Sequence, residues 1–368
     1  MASLSPAEIE VIAPNLGRRY SGITSTIERV VPRQSRSLPI ATMGQTVSSD
    51  LPRIGFGELW KFWRAPKRVP FRVWHARRND DLVLGLFLRS VLRMPLKLVF
   101  TSAAQRKHTK LTKFLIRHTD AIIATSPESA SYLSRPCTII RHGMDTDQFR
   151  PCEDKPALRK QIGLPDMLLM GCFGRVRPDK GTDIFVDAFI NIASHHPDVA
   201  AVVTGLTKSQ YADFRAEMIR KVKAGGLADR LLWLGERDAS EMMDLYRALD
   251  IYVAPQRWEG FGVTPIEAMS SGVPVVATTV GTFKSQVVEG KTGYLVPPGN
   301  VEAITAAIRR LVDDPELRRK MGAAGRAHVV ENFDVQDEAD AINAVYRELW
   351  ARAGTPDAIE PASGKDGA

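Results

Sequence analysis

Short apolar runs rich in β-branched residues return along the whole chain, and amphipathic stretches of helical length separate them. "IEVIAP", "FRVWHA", "KLVFTS", "DAIIATS" and "CTIIRHG" have this character in the first part, and "LLMGCFGR", "AAVVTG", "LLWLGE", "DIYVAP", "VPVVATT" and "GYLVPP" in the second. A strand, a helix and then another strand can pair in parallel because the helix supplies the crossover, and helices then cover both faces of the sheet. The pattern predicts an α/β chain of two doubly wound, Rossmann-like domains facing a cleft. Ligands are expected at the carboxyl ends of the strands and between the domains.

The polar stretch "RPCEDKPALRK", with Pro151 and Pro156, reads as the linker, giving one domain over 1–150 and a second over 151–334. "NVEAITAAIRRLVDD" opens with an Asn cap and "DPELRRKMGAAGRAHVVENF" follows as another helix. Residues 335–353, within "VQDEADAINAVYRELWARAG", form a last amphipathic helix expected to pack back toward the N-terminal domain. The tail 354–368, "TPDAIEPASGKDGA" after Gly354, has little to bury and is expected to be disordered.

No apolar window approaches the roughly 20 residues that span a bilayer. "MASLSPAEIEVIAP" lacks a basic start and apolar core, so no signal peptide is expected. Cys137, Cys152 and Cys172 have neither paired nor metal-type spacing and read as packing residues in a reducing, cytoplasmic compartment. Charge is distributed unevenly. Residues 1–150 carry 24 Lys+Arg against 11 Asp+Glu, while the remainder carries 26 against 31. The basic residues concentrate in 51–117, in "KFWRAPKR", "RVWHARR" and "QRKHTKLTKFLIRH". Such a face attracts phosphates, anionic lipid or nucleic acid, or is simply a solvated basic surface.

Two stretches carry chemistry. In "PQRWEGFGVTPIEAMSSGVPVVAT" a buried-type strand runs into a turn with Gly260 and Gly262, then into a short helix closed by Gly272. The backbone N–H groups of Phe261, Gly262 and Val263 stand at that helix's start, where an anion is favoured. Glu259 lies in the turn and Glu267 in the helix, placed for different parts of one ligand. A carboxylate suits a ribose diol, and Glu267 fits that task, although either acid could simply pair with a neighbouring cation. In "CFGRVRPDKGTDIFVDAF" a strand ends at Gly174, and Arg175 and Lys180 follow across a loop. Two fixed cations there suit a pyrophosphate and could replace a metal in stabilising a departing diphosphate.

Together "FGRVRPDKG", "EGFGVTPIEAMSSGVPVVAT" and "GKTGYLVPPGN" resemble, in order, the donor-binding half of family 4 of the retaining glycosyltransferases, which have the GT-B fold. "APNLGRRYSGI" resembles the family's N-terminal glycine loop, "VWHARRN" its His-containing segment, and "IIRHGMDTDQF" a segment usually written with Asn-Gly-Val-Asp, where His142 replaces the Asn. The resemblance implies an acceptor-binding N-terminal domain and a nucleotide-sugar-binding C-terminal one. It gives Arg175 and Lys180 the donor diphosphate, Glu267 the ribose, and Glu259 the hexose hydroxyls, with backbone help from Gly260, Phe261, Gly262 and Val263. Gly17 would approach the phosphates and His75 the transferred sugar; His75, Glu259, Arg175 and Lys180 are the implied catalytic set. Retention is usually explained in this family by same-face attack, with the leaving phosphate taking the acceptor's proton.

More broadly, "RVWHARRNDDLVLGLFLR" and "PLKLVFTSAAQRKHTKLTKFLIRHTDAIIATS" resemble bacterial lipopolysaccharide core mannosyltransferases, which take mannose from GDP-mannose to the Kdo-bearing inner core. This implies an anionic glycolipid acceptor and the inner face of the cytoplasmic membrane as partners, with Arg64, Lys67, Arg68, Arg77 and Arg78 as acceptor or membrane contacts. No cofactor, metal or nucleic acid is expected. Asp145–Asp147 ("DTD") and residues 79–81 ("NDD") have the look of metal-binding acids, but read as local backbone caps. Trp60, Trp63 and Trp74 read as packing or as an interfacial edge rather than as a base-stacking platform. A UDP-sugar hexosyltransferase of the same fold is the alternative enzyme. A catalytically silent nucleic-acid- or membrane-binding protein on that scaffold is the alternative of another class.

Overall fold

The computed structural model describes residues 4–17, 22–44, 51–104 and 106–354. The tail beyond Gly354, expected to be disordered, and residues 18–21 of the glycine-loop stretch lie outside the described residues. The chain divides into two compact units, Met1–Gly143 with Val335–Ala368, and Met144–Asp334.

Among the described residues the first unit holds a seven-stranded sheet. Its strands are β1 (Val11–Pro14), β2 (Ile40–Met43), β3 (Arg53–Ile54), β4 (Arg72–Ala76), β5 (Leu96–Ser102), β6 (Ala121–Ala124) and β7 (Thr138–Ile139). They lie in the order β3-β2-β1-β4-β5-β6-β7, and every pairing is parallel. Val11 stands opposite Ile40 on one side and Val73 on the other, so the run of the sheet reverses at β1. All of β1, β2 and β4 is buried, and β1 and β4 lie within the runs "IEVIAP" and "FRVWHA". The Val335–Arg352 helix belongs to this unit's core: Tyr346 and Trp350 are buried with Val11, Ile27 and Val73. Its Asn343 accepts a hydrogen bond from Gln34 Nε2 at 2.7 Å, and Trp350 Nε1 donates to the Phe71 carbonyl at 3.0 Å.

The second unit's sheet is built from β8 (Leu168–Phe173), β9 (Val199–Thr204), β10 (Leu231–Gly235), β11 (Ile251–Ala254), β12 (Val275–Thr278) and β13 (Gly293–Val296). Its order, β10-β9-β8-β11-β12-β13, is again parallel throughout, and the reversal falls between β8 and β11. Apolar cores cover both faces. Residues 144–150, ahead of the prolines taken for the linker, are fastened into this unit. Met144 N donates to the Phe333 carbonyl at 2.6 Å, and Arg326 Nη1 donates to the carbonyls of Thr146 and Phe149 at 2.8 and 2.9 Å. The boundary therefore falls at Gly143.

Candidate active site

Where a doubly wound sheet reverses its strand order, the loops leaving adjacent strands diverge and open a crevice at the carboxyl ends. In the second unit that place is between β8 and β11, whose following loops contain Arg175 and Lys180, and Glu259 to Val263. Gly174 ends β8 with φ 133°, a conformation that favours glycine, and the exposed Arg175 follows. A short 3₁₀ turn, Pro178–Lys180, is capped by Gly181 at φ 70°. A Cβ on Gly181 would lie 2.0 Å from the Pro255 carbonyl oxygen, so the missing side chain lets the two loops meet.

Their contact is dense. Arg257 grips the Asp183 carboxylate through both terminal nitrogens, at 2.8 and 2.7 Å, and donates to the Pro178 carbonyl. The backbone N–H groups of Arg257 and Trp258 donate to the Asp179 carbonyl at 3.0 and 3.3 Å. This brings the Lys180 ammonium into an ion pair with Glu259 Oε2, with the two side chains 20 and 14 % exposed. Glu259 Oε1 accepts from the Gly260 N–H at 2.9 Å. The turn is held from beneath by Thr282, whose hydroxyl donates to the Phe261 carbonyl, and by Gln286 Nε2, which donates to the Gly262 carbonyl at 2.8 Å.

Glu267 lies in the Thr264–Ser270 helix, partly exposed, and accepts the Tyr246 hydroxyl proton at 2.7 Å. Burial, reinforced by the Glu267 charge, pushes the Tyr246 phenol well above its ordinary pKa, so it stays a donor. Its ring is locked edge-on against Phe173 and tilted on Tyr252, at 4.8 and 5.4 Å between centroids. Tyr246, Arg257, Asp183, Thr282 and Gln286 were not anticipated. Tyr246 looks in sequence like any apolar position of an amphipathic helix, and only "QRWEG" hinted at Arg257 by adjacency.

In the first unit the equivalent reversal places the end of β1 beside the end of β4. Gly17 is half-buried there, and a Cβ on it would come within 2.8 Å of the Arg78 guanidinium carbon. Arg78 Nε donates to Asn15 Oδ1 at 3.2 Å. Asp81 fastens both loops, accepting from the backbone N–H of Leu16 at 3.0 Å and of Arg78 at 3.1 Å. The 79–81 acids thus include a backbone clamp. Asp145 acts similarly, accepting from the N–H groups of Asp147 and Gln148 at 3.2 Å each. Among the described residues no group of three His, Cys, Asp or Glu side chains is placed to hold a metal.

Two expectations are corrected by burial. His75 is 0 % exposed, and both ring nitrogens are engaged, Nδ1 with the Tyr346 hydroxyl and Nε2 with the Thr101 hydroxyl at 2.7 Å. Burial, with a smaller push from Arg77, holds its pKa well below the usual value, so the ring is neutral. That is a satisfied core histidine with no surface to offer a sugar. Arg77, expected as an acceptor or membrane contact, is also buried; its Nη1 donates to the His75 carbonyl at 3.4 Å, and burial lowers its pKa. Arg64, Lys67 and Arg68 are exposed and Arg78 half-buried. Of the tryptophans, Trp74 is core, donating to the Asp81 carbonyl at 2.9 Å, while Trp60 and Trp63 are exposed. His142 pairs instead with buried Glu338 at 2.8 Å, and Glu338 also accepts the Gly143 N–H at 2.7 Å.

Two parallel sheets of this order make a pair of doubly wound domains, one of which bears paired cations and acids at its reversal point. Residues 154–328 match the family described as glycosyl transferases group 1. The lipopolysaccharide core biosynthesis mannosyltransferase LpsB of Rhizobium meliloti is 47% identical over 347 residues, covering 93% of this chain and 98% of that one. Its counterpart LpcC of Rhizobium leguminosarum bv. viciae is 47% identical over 343 residues, covering 93% and 97%. The crystal structure of Anabaena Alr3699/HepE in complex with UDP superposes with a TM-score of 0.79 at 20% identity, covering 93% of this chain and 100% of that one. The C-terminal domain of LpcC from Francisella tularensis is 35% identical, with a TM-score of 0.51 over 52% of this chain and 99% of that one. The chain belongs to the group 1 glycosyl transferases. It is a glycosyltransferase of GT-B fold, two Rossmann-like domains, as the motifs predicted.

Proposed function

We propose that this glycosyltransferase moves mannose from GDP-mannose to the Kdo-bearing inner core of lipopolysaccharide, at the inner face of the cytoplasmic membrane and with retention of anomeric configuration. The observation that carries the reading is the gathering of Arg175, Lys180, Glu259 and Glu267 at one strand reversal, in a chain similar over nearly its whole length to two lipopolysaccharide core mannosyltransferases.

In this reading Arg175 and Lys180 take the donor diphosphate, and the Lys180 ammonium stays balanced by Glu259 until the donor arrives. Glu259 addresses the hexose hydroxyls together with the backbone from Gly260 to Val263, and Glu267, steadied by Tyr246, takes the ribose. As the bond from the anomeric carbon to the diphosphate oxygen breaks, the acceptor oxygen bonds to that carbon from the same face. The acceptor's proton passes to the departing diphosphate. The protein's contribution is position and fixed positive charge where negative charge develops.

The test is transfer to deacylated lipopolysaccharide core from GDP-mannose and from a panel of UDP-sugars, with and without chelator. Transfer from GDP-mannose alone, unaffected by chelator, is expected. Transfer from a UDP-sugar instead would replace the donor assignment, and absence of transfer from every donor would overturn the reading.

A further inference from the structure

The geometry points to a second ligand site in the Met144–Asp334 unit, a cleft at the opposite end of the sheet from Arg175, Lys180 and Glu259, which takes a small phosphomonoester of sugar-phosphate size. The site is independent of the donor and acceptor proposed above.

Asp250 directly precedes β11 and Pro274 directly precedes β12, so both stand at the amino ends of their strands. The loops that bear Lys180 and Glu259 leave from carboxyl ends. Four residues of β11 separate Asp250 from Pro255, about 13 Å of strand. At the amino ends the chain leaves a cleft of about 240 Å³ lined by Cys152, Lys155, Asp250, Ser271, Arg318 and Arg319. Its walls are fixed by close packing. A Cβ on Gly322 would lie 2.2 Å from the Gly272 carbonyl oxygen, and one on Gly325 3.1 Å from the Met269 side chain, so the Pro315–Asn332 helix lies directly on the Thr264–Ser270 segment. Arg326 Nη1 fastens the same contact, donating to the Ser270 carbonyl at 3.0 Å.

Positive charge is in excess there. Asp250 is the one carboxylate lining the cleft, and it is already committed: Oδ2 accepts from Arg159 Nη2 at 2.5 Å and from the Leu169 N–H at 2.8 Å, and Oδ1 from Lys155 Nζ at 3.3 Å. Lys155, with its side chain 27 % exposed, also donates to the Leu249 carbonyl. An ammonium has three protons, so one remains for a ligand. Arg318 uses Nη1 on the carbonyls of Leu311 and Val312, which leaves Nε and Nη2. Burial lowers the Lys155 pKa; Asp250 pulls it back, and the Arg159 and Arg318 charges oppose that pull. Arg319 at the rim is exposed and paired with exposed Glu316 at 2.7 Å.

Size and chemistry choose the ligand. Pockets for drug-sized molecules run to about 300–1,000 Å³, so this one suits a small metabolite rather than a nucleotide sugar. A phosphate carries about two negative charges and three acceptor oxygens, which matches Lys155, Arg318 and Arg319 better than a single carboxylate does. Pro151, Pro274 and Pro315 add apolar rings to the lining, a surface for the C–H face of a sugar that bare phosphate would leave unused. Among the described residues no aromatic side chain lines the cleft, so a nucleobase finds nothing to stack on.

The experiment is calorimetric titration of the full chain with glucose 6-phosphate and with inorganic phosphate at matched ionic strength, sodium chloride serving as control. Cys152 supplies a local reporter: the ester should slow its alkylation by a maleimide, the Cys152→Ser variant identifying that signal. Lys155→Gln and Arg318→Gln should each raise the Kd of the ester by about tenfold, the cost of one charge-assisted contact. Arg319→Glu, a change at an exposed position, should weaken binding while keeping the wild-type melting curve, and it decides the matter if either of the other variants unfolds. Lys180→Ala should bind the ester as wild type does. Unchanged alkylation of Cys152, equal protection by chloride, or wild-type affinity in Arg319→Glu overturns the inference. Inorganic phosphate held as tightly as the ester overturns it too, since the sugar then contributes nothing. Binding lost in Lys180→Ala but kept in Lys155→Gln would place the ester in the donor site and overturn the second site altogether.

Discussion

Replacing Tyr246 by Phe removes one oxygen from a fully buried side chain and nothing else. The ring keeps its packing against Phe173, Tyr252 and Phe149, with centroids 4.8, 5.4 and 5.9 Å away. What is lost is a 2.7 Å hydrogen bond to the Glu267 carboxylate. Hydrogen bonds to a charged group contribute about 1.5–3 kcal/mol, and the low end applies because Glu267 is partly exposed and water can replace the lost donor. If Glu267 holds the donor ribose, its misplacement weakens ground state and transition state alike, since the ribose does not react. KM for the nucleotide sugar should then rise by about tenfold, the equivalent of ~1.4 kcal/mol, with kcat nearly unchanged. Initial-rate kinetics with varied donor, beside a thermal melt, measure both quantities. A fall in kcat at unchanged KM would refute the ribose assignment, and collapse of the fold would refute the account of Tyr246 as a positioning residue.

Lys180→Ala should lower kcat by about 10²–10³, the usual cost of removing one fixed donor from a developing anion, with circular dichroism unchanged; a wild-type rate would end the diphosphate assignment. Gly181→Ala places a Cβ 2.0 Å from the Pro255 carbonyl at a φ of 70°. It should destabilise the second unit by about 2 kcal/mol or more, seen as a lower urea midpoint, and a neutral effect would show that the two loops do not need their close approach. His75 is buried neutral, its pKa held well below the usual value by desolvation, whereas in the unfolded chain it titrates near the ordinary value. As pH falls below about 6.5 the unfolded state takes up a proton that the folded state refuses, so stability is lost at up to about 1.4 kcal/mol per pH unit. Urea unfolding at neutral pH and at moderately acid pH should show this slope, reduced in a His75→Asn variant; identical slopes would place the acid sensitivity elsewhere.

The strands that bear the site were legible because they are buried on both faces, and continuous apolar runs such as "LLMGCFGR" and "DIYVAP" follow from that burial. β2 and β3 were missed for want of length: four residues between Pro39 and Gly44, and two after Pro52, are too short to show a period. Local spacing is enough to single out Arg175, Lys180, Glu259 and Glu267 as candidates, since each sits just beyond a recognisable strand or in a recognisable short helix. What spacing cannot carry is who meets whom across the fold. Lys180 and Glu259 stand 79 residues apart and become partners only because Gly181 admits Pro255. His75 and Arg77 failed for the same reason. The end of β4 was correctly located, but the side chains that close over it come from β5 and, for Tyr346, from the far end of the chain.

That far end has a consequence during synthesis. Domains generally complete themselves in order as the chain emerges, yet Tyr346 and Trp350 are core residues of the unit that was begun first. The middle stretch, Met144–Asp334, can close while the ribosome is still at work, whereas the earlier half waits with part of its interior unwritten. A premature stop just after Asp334 would spare the last-made sheet and leave the first-made one open, with its Gly22–Gln34 helix exposing an apolar seam to any chaperone or protease nearby.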